Sequence, residues 1–356
     1  MVVMMKGVTS VALAALLLST GCTAARSLSV PGEAASGYEQ AIERGRRIVG
    51  PLVRRGSGVA VAVGVNGRLV WSEGFGRTRL DEGEPVRAEM PFRVYSLMKQ
   101  VTSVLVLQAA LRGDVDVRAS VRRVIPDLPV HYEPVTLSQL LSHRGGVRHY
   151  RNAEEAVMTD HCVTAAEALP RFVNDPLVAE PGAKESYSTW GFVLVSAVLE
   201  AAAGVPFGSL LEERILASAN MPSARLEGSP GADIPLTFYD VDEDGRVHVA
   251  PAVDNSCKMG GGGFLASAED IVRFHNAVLR GELVPMPAVR QMLGERKALA
   301  AGGSGPGGQA VSLVDLDTRV SVVIVSNMSG LEQQIALDRA RGLLAAVFAP
   351  DADGTR

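Results

Sequence analysis

Phe92-Arg93-Val94-Tyr95-Ser96-Leu97-Met98-Lys99 joins an extended approach, Pro91 to Tyr95, to a run from Gln100 to Leu111 that has no proline or glycine and is rich in apolar side chains. The change of pattern puts a serine and a lysine three residues apart at the mouth of a helix. Positions i and i+3 of a helix share a face, so Lys99 can reach back to the Ser96 oxygen. A serine hydroxyl is a poor nucleophile until a base takes its proton. A lysine can be that base only where burial or nearby cations lower its pKa toward neutrality. Lysine is scarce here: Lys6, Lys99, Lys184, Lys258 and Lys297 are the only five. The pattern S-x-x-K by itself also fits a capping serine with a solvated lysine, so its weight depends on the rest of the chain.

The 356 residues are enough for one large domain or two of ordinary size, and 47% apolar residues support a sizeable core. A net charge of -4 with no basic stripe argues against a nucleic-acid partner. No internal run is long and apolar enough for a bilayer, and no fixed-period repeat is visible. The amino terminus differs. Lys6 precedes an apolar run from Val8 to Leu18, and Ser19-Thr20-Gly21-Cys22 resembles a bacterial lipoprotein box, with Leu18 four rather than three residues before the cysteine. Residues 1–22 are therefore expected to be a lipoprotein signal peptide with the lipid on Cys22, and residues 23–37 a tether. This implies a lipid-anchored protein of the cell envelope, periplasmic or on the outer surface; an ordinary secretory signal is the alternative. An oxidising compartment would permit a bond between Cys162 and Cys257, which spacing alone does not decide. His143, His149 and His161 are near one another, but none has ligand spacing with a cysteine, so no metal or cofactor is expected.

Tyr38 to Val49 has helical spacing. Val59 to Val65 and Arg68 to Phe75 flank Asn66-Gly67, a strong hairpin signal because that pair accepts positive φ at both turn positions. Val311 to Leu316 and Val320 to Ser326 flank Asp317-Thr318-Arg319 as a second hairpin, and Leu331 to Phe348 reads as a closing amphipathic helix. The two ends, 38–112 and 251–349, are thus expected to build one sheet domain. Residues 113–250 are expected to be a mostly helical region, broken by Pro126, Pro129, Pro134, Pro176 and Pro181, with strand- and turn-like composition from Glu227 to Pro251. The glycines 260–263 precede a helix that starts near Ser267. They lack a following Gly-Lys-Ser/Thr, so nucleotide binding is not expected.

Tyr187-Ser188-Thr189 is a second candidate. A tyrosine near Lys99 would lose its proton more easily, because a cation favours the phenolate. It would then exchange protons with Ser96 and a leaving group. A packed tyrosine at the start of an apolar helix is the alternative.

With these residues in place, the chain resembles a known family. The Phe92–Lys99 stretch, Leu140-Leu141-Ser142-His143-Arg144-Gly145-Gly146-Val147, Pro181-Gly182 with Tyr187-Ser188-Thr189, and Gly262-Gly263-Phe264-Leu265-Ala266-Ser267 occur in the order seen in serine beta-lactamase-related proteins, the class C beta-lactamase, DD-peptidase and esterase superfamily. Ser142 to Tyr150 and Asp254-Asn255-Ser256-Cys257-Lys258 are similar to the mitochondrial serine beta-lactamase-like proteins within it.

The resemblance implies an α+β, beta-lactamase/transpeptidase-like fold: an antiparallel sheet flanked by terminal helices, with an inserted, mostly helical region. It implies Ser96 as nucleophile, Lys99 and Tyr187 as proton carriers, and the backbone N–H groups of Ser96 and Ser304 as oxyanion donors. Thr189, Gly303, His149 and Tyr150 would bind substrate, Arg148 would join the last two at the cleft entrance, and His143 would open a structural turn beneath the site. The expected function is an exported serine hydrolase acting on a small-molecule or peptide amide, ester or beta-lactam through an acyl-serine. The alternative is a catalytically weak, penicillin-binding-like protein that binds cell-wall or peptide ligands without turnover. Two departures bear on this. The tyrosine motif ends in Thr189 where the family usually has asparagine. In the third motif, Ala301-Gly302-Gly303, alanine stands where the family has Lys or His, and the short lead-in suggests a missing strand. Lys297 would substitute only if the strand register differs.

Overall fold

The computed structural model describes residues 29–231 and 233–349. The expected signal peptide, Cys22 and the first part of the expected tether lie outside the described residues. Six antiparallel strands form the main sheet: β1 (Ser29–Ala34), β2 (Val59–Val65), β3 (Arg68–Phe75), β9 (Ala298–Gly305), β10 (Gly308–Asp315) and β11 (Val320–Ser326), in the order β1-β3-β2-β11-β10-β9. Short strands β4 (Phe92–Arg93), β5 (Arg225–Leu226) and β8 (Phe264–Ala266) form a second sheet, and β6 (Tyr239–Val241) pairs with β7 (Val247–Val249).

The central strand β2, Val-Ala-Val-Ala-Val-Gly-Val, shows why the sheet is covered on both sides. Side chains alternate between faces along a strand. Val59, Val61, Val63 and Val65 pack under the terminal helices α1 (Glu39–Val49) and α10 (Leu331–Phe348), with Ile42, Trp71, Leu337, Leu344 and Phe348. Each such buried side chain contributes roughly 1.5–3 kcal/mol relative to exposure. Trp71 stacks on Phe348 with ring centroids 5.8 Å apart. The opposite face is narrow. Ala60 and Ala62 pack with Ile271 and Val272, which belong to a helix on that side. A methyl group at Gly64 would lie 2.9 Å from Val272 Cγ1 and 2.6 Å from Asn276 Oδ1. Small residues alternate with valine because one side must admit a helix backbone closely. The turn after β2 has φ of 51° at Asn66 and 77° at Gly67, as the Asn-Gly pair predicts.

The remaining helices follow the chain: α2 (Met98–Arg112), α3 (Leu137–Leu141), α4 (Ala153–Ala156), α5 (Thr189–Ala203), α6 (Phe207–Leu211), α7 (Met259–Gly262), α8 (Ala268–Leu279) and α9 (Met286–Leu293). It is α8 that covers the narrow face, and its start carries a capping box between Ser267 and Asp270.

Two expectations need correction. Residues 29–34 of the expected tether are strand β1; Glu33 N donates to Ser72 Oγ at 2.8 Å. As a largely exposed outer strand it carries no alternating apolar pattern to read. The expected mostly helical region is helical chiefly from Thr189 onward. Between Asp114 and Ser188 the helices are short, none longer than the six residues Ala166–Arg171, because prolines remove donors and clash with a preceding turn. The third motif, Ala301-Gly302-Gly303, lies on β9 itself, and among the described residues only helices α8 and α9, and no strand, stand between β8 and β9. β9 pairs with β10 along its length, from Gly305 opposite Gly308 to Ala298 opposite Asp315.

Candidate active site

Ser96 lies in a 3-10 turn, Tyr95–Leu97, that feeds directly into α2. Tyr95 has φ of 47°, a strained value for a non-glycine residue. Its surroundings hold it there. The Tyr95 hydroxyl donates to Pro306 O at 2.7 Å, and a methyl group at Gly305 would fall 2.4 Å from the Tyr95 ring. A methyl group at Gly303 would sit 2.1 Å from Val94 O and 3.0 Å from Ser96 N. The outer strand β9 therefore reaches the nucleophile turn only because it carries glycine at 303 and 305.

The Lys99 Nζ lies 3.0 Å from Ser96 Oγ. It also meets Thr189 Oγ1 at 3.3 Å and Gly261 O at 2.5 Å. Lys99 is buried, 7% exposed, and burial, helped by the positive charge of Lys258, lowers its pKa to about 7. The amine is thus divided between its neutral and charged forms near neutrality. Ser96 Oγ lies 2.6 Å from the Tyr187 hydroxyl. Here the expectation of a more acidic tyrosine is corrected. Burial dominates and raises the Tyr187 pKa, against a lowering effect of its hydrogen bond with Ser96. Tyr187 is therefore a neutral phenol at neutral pH, with a proton that it can donate.

Thr189 begins α5, whose N-cap Ser188 accepts from Gly191 N at 2.8 Å and donates to Arg148 O at 2.7 Å. His149 Nδ1 accepts from Thr189 N at 3.3 Å, and His143 Nδ1 accepts from Ser188 N at 3.2 Å. Their rings pack on Tyr187, with centroids 5.3 and 4.4 Å away. Burial first, then the Lys99 charge, lowers both histidine pKa values to about 4, so both are neutral acceptors. His143, at φ of 55°, fits the structural turn expected of it.

The glycine run is a packing wedge. Methyl groups at Gly260 and Gly261 would fall 2.7 Å from Thr102 Oγ1 and 2.8 Å from Thr189 O. The run fits between α2 and α5 and presents the Gly261 carbonyl to Lys99. Nothing in its sequence announced that contact.

A cleft of about 610 Å³ opens over Ser96, lined also by His149, Tyr150, Tyr187, Thr189, Gly303 and Ser304. Every non-lipid site residue expected from sequence borders this cleft except Lys99, which is buried beneath it, and Arg148. The condition for Lys297 to substitute is not met, and the expectation for Arg148 does not hold. Lys297 pairs with Asp317 at 3.4 Å, its side chain 79% exposed, and does not line the cleft. Ala301 is not replaced by another cation on β9. Arg148 turns away from the entrance to pair with Glu155 at 2.8 Å and Asp175 at 2.6 Å. Sequence reasoning also missed Lys258, which borders the cleft. Cys162 and Cys257 form a disulfide. Among the described residues no group of three or more His, Cys, Asp or Glu side chains is placed to hold a metal ion.

Comparison with known proteins agrees with this geometry. A family model described as Beta-lactamase matches residues 46–347. The chain is 26% identical over 324 residues to the mitochondrial serine beta-lactamase-like protein LACTB of Mus musculus, covering 70% of this chain and 59% of that protein. It is 24% identical over 279 residues to esterase EstB of Burkholderia gladioli, covering 68% of each. In fold it resembles the D-amino acid amidase of Ochrobactrum anthropi SV3, with a TM-score of 0.75 at 19% identity, over 86% of this chain and 99% of that one. The chain spans just over half the length of the LACTB proteins it matches.

Proposed function

Because the chain belongs to the Beta-lactamase family, we propose that it is a serine hydrolase that opens an amide, ester, peptide or beta-lactam through an acyl-enzyme on Ser96. The observation that carries this reading is the pair of contacts at Ser96 Oγ: Lys99 Nζ at 3.0 Å and the Tyr187 hydroxyl at 2.6 Å.

Neutral Lys99 takes the Ser96 proton as Oγ attacks the carbonyl carbon. The carbonyl electron pair moves to oxygen, which accepts from the backbone N–H groups of Ser96 and Ser304. Donors fixed in this way contribute about 2.7–4 kcal/mol each to lowering the barrier. Tyr187 gives its proton to the leaving group as the bond breaks, and Lys99 returns a proton to Tyr187. Water then attacks the acyl carbon, giving up a proton to this pair, and Ser96 leaves with one. The His143 and His149 acceptors take no part in this transfer; they hold the backbone that carries Tyr187 and Thr189.

The disulfide supports an exported protein, since such bonds persist in oxidising compartments. The lipoprotein-like Ser19-Thr20-Gly21-Cys22 supports anchoring to the cell envelope through lipid on Cys22.

A second reading, a ligand-binding relative without turnover, is favoured by Ala301, which leaves β9 without the basic residue of the family's third motif. A fluorophosphonate or penicillin-type probe separates the two. Covalent mass on Ser96 in the wild type, absent in Ser96→Ala, supports the hydrolase. No labelling by either probe favours the binding protein.

A further inference from the structure

We propose that Lys258 is the anion anchor of this cleft, recognising a carboxylate carried by the acyl donor in place of the cation that β9 lacks. This rests on the acyl-donor reading of the cleft.

Lys258 is only 3% exposed, yet it borders the cleft beside Tyr150 and Ala156. Its ammonium donates to Ala156 O at 2.6 Å and to Asn255 Oδ1 at 2.7 Å, and lies 5.3 Å from the centroid of the Tyr150 ring. An ammonium has three donors, so one is left over. Both partners are neutral oxygens, and among the described residues Lys258 makes no ion pair. The nearby carboxylate, Glu227, is committed elsewhere. It accepts from Arg93 at 2.7 Å and from Asn255 Nδ2 at 2.9 Å. That second bond orients the Asn255 amide so that its oxygen faces Lys258. The chain Arg93–Glu227–Asn255 thus positions a cation without neutralising it directly.

An incompletely paired buried charge is costly to keep. A ligand carboxylate would complete the coordination of Lys258 and recover that cost when it binds. Lys99, below Ser96, adds to the same positive field. Burial lowers the Lys258 pKa only to about 8, so it is mostly charged at neutral pH. The opposite wall supplies no competing anchor, since Ala301 is apolar and Lys297 is engaged with Asp317 outside the cleft.

Two pairs of esters test the proposal. One carries the anion on the acyl chain: 4-nitrophenyl hydrogen glutarate against 4-nitrophenyl methyl glutarate. The other carries it on the leaving group: the phenylacetate ester of 3-hydroxybenzoic acid against that of its methyl ester. The wild type should favour the acid at least ~10-fold in kcat/KM in one pair, mainly through KM, as expected for a charge-assisted hydrogen bond. The pair that responds identifies where the anion sits. Lys258→Gln should bring the acid-to-neutral ratio close to one, and Lys258→Arg should retain part of the preference. No preference in the wild type in either pair, or an undiminished preference in Lys258→Gln, overturns the proposal. Should Lys258→Gln not fold, the wild-type and arginine ratios still decide it, with no acid preference in either as the overturning result. If no ester is turned over and no probe labels Ser96, the hydrolase reading fails separately. Calorimetric binding of the same esters to Ser96→Ala then decides on Lys258: tighter binding of the acids supports the anchor, and equal affinity within each pair ends it.

Discussion

The Gly261 carbonyl oxygen and the Lys99 amine meet at 2.5 Å, so the most buried proton carrier of the site is held by backbone rather than by a carboxylate. No counter-charge raises its affinity for the proton, and burial and Lys258 lower it to about 7. In the proposed mechanism the reacting form is the neutral amine. Activity should therefore rise with pH through about 7, and kcat/KM measured from pH 5.5 to 8.5 should show that acid limb. Lys258→Gln removes a like charge, raises the Lys99 pKa and moves the limb to higher pH. Lys99→Ala should lower kcat/KM by roughly 10²–10⁴-fold at neutral pH; turnover near the wild-type value rules out the base assignment.

Tyr187 is placed to donate, since burial keeps its phenol protonated. Tyr187→Phe removes the hydroxyl that lies 2.6 Å from Ser96 Oγ. It should cost about 10²–10⁴-fold in kcat with poor leaving groups, and less with a 4-nitrophenyl leaving group, which needs no proton. Equal losses for both kinds of leaving group would remove the donor role.

Two glycines should respond oppositely to alanine. At Gly303 the new methyl meets Val94 O at 2.1 Å, and backbone on both sides must move. Thermal melts and probe labelling should show about 1–3 kcal/mol of destabilisation together with slower acylation of Ser96. At Gly342 in α10 nothing lies within 4 Å of the added carbon. Gly342→Ala should raise stability by up to about 1 kcal/mol through helix propensity alone.

His275 is buried at 2% exposure with Nε2 2.8 Å from Gln100 Oε1, and burial lowers its pKa from 6.5 to about 3. The unfolded chain binds a proton on this group below about 6.5 and the folded protein does not. Stability is therefore lost as pH falls from 6.5 toward 3, by about 2 kcal/mol at pH 5 from this residue. Urea melts at pH 7 and pH 5 should show that difference shrink in His275→Gln; an unchanged difference would assign the acid sensitivity elsewhere.

Legibility in the sequence followed periodicity. The β2–β3 hairpin and α10 were readable because Asn66-Gly67 and the apolar spacing of Leu331–Phe348 act locally. Ser96, Lys99 and Tyr187 were readable because motif order survives loop variation. β1 was not, because an exposed outer strand shows no alternation. β9 was legible only as the strand of the third motif, because Ala-Ala-Gly-Gly has little strand propensity; close approach to Val94 and Tyr95 selects those residues. Lys258 and the Gly261 carbonyl gave no signal because their roles arise from contacts across 102 and 162 residues, with Ala156 and Lys99. The acidity of Tyr187 was misjudged because a neighbouring cation is visible in sequence and burial is not.

The Cys162–Cys257 bond ties the residue next to Lys258 to a loop 95 positions earlier in the chain. Ser96, Lys99 and Tyr187 belong to elements that this cross-link does not join. Protein made in a reducing cytosol and protein made in an oxidising space are therefore different reagents: the reacting groups are common to both, while the wall that would sort one ligand from another is stapled only in the second. Substrate screens on this chain accordingly depend on how the sample was made, and thiol reductants in the assay buffer are themselves an experimental variable.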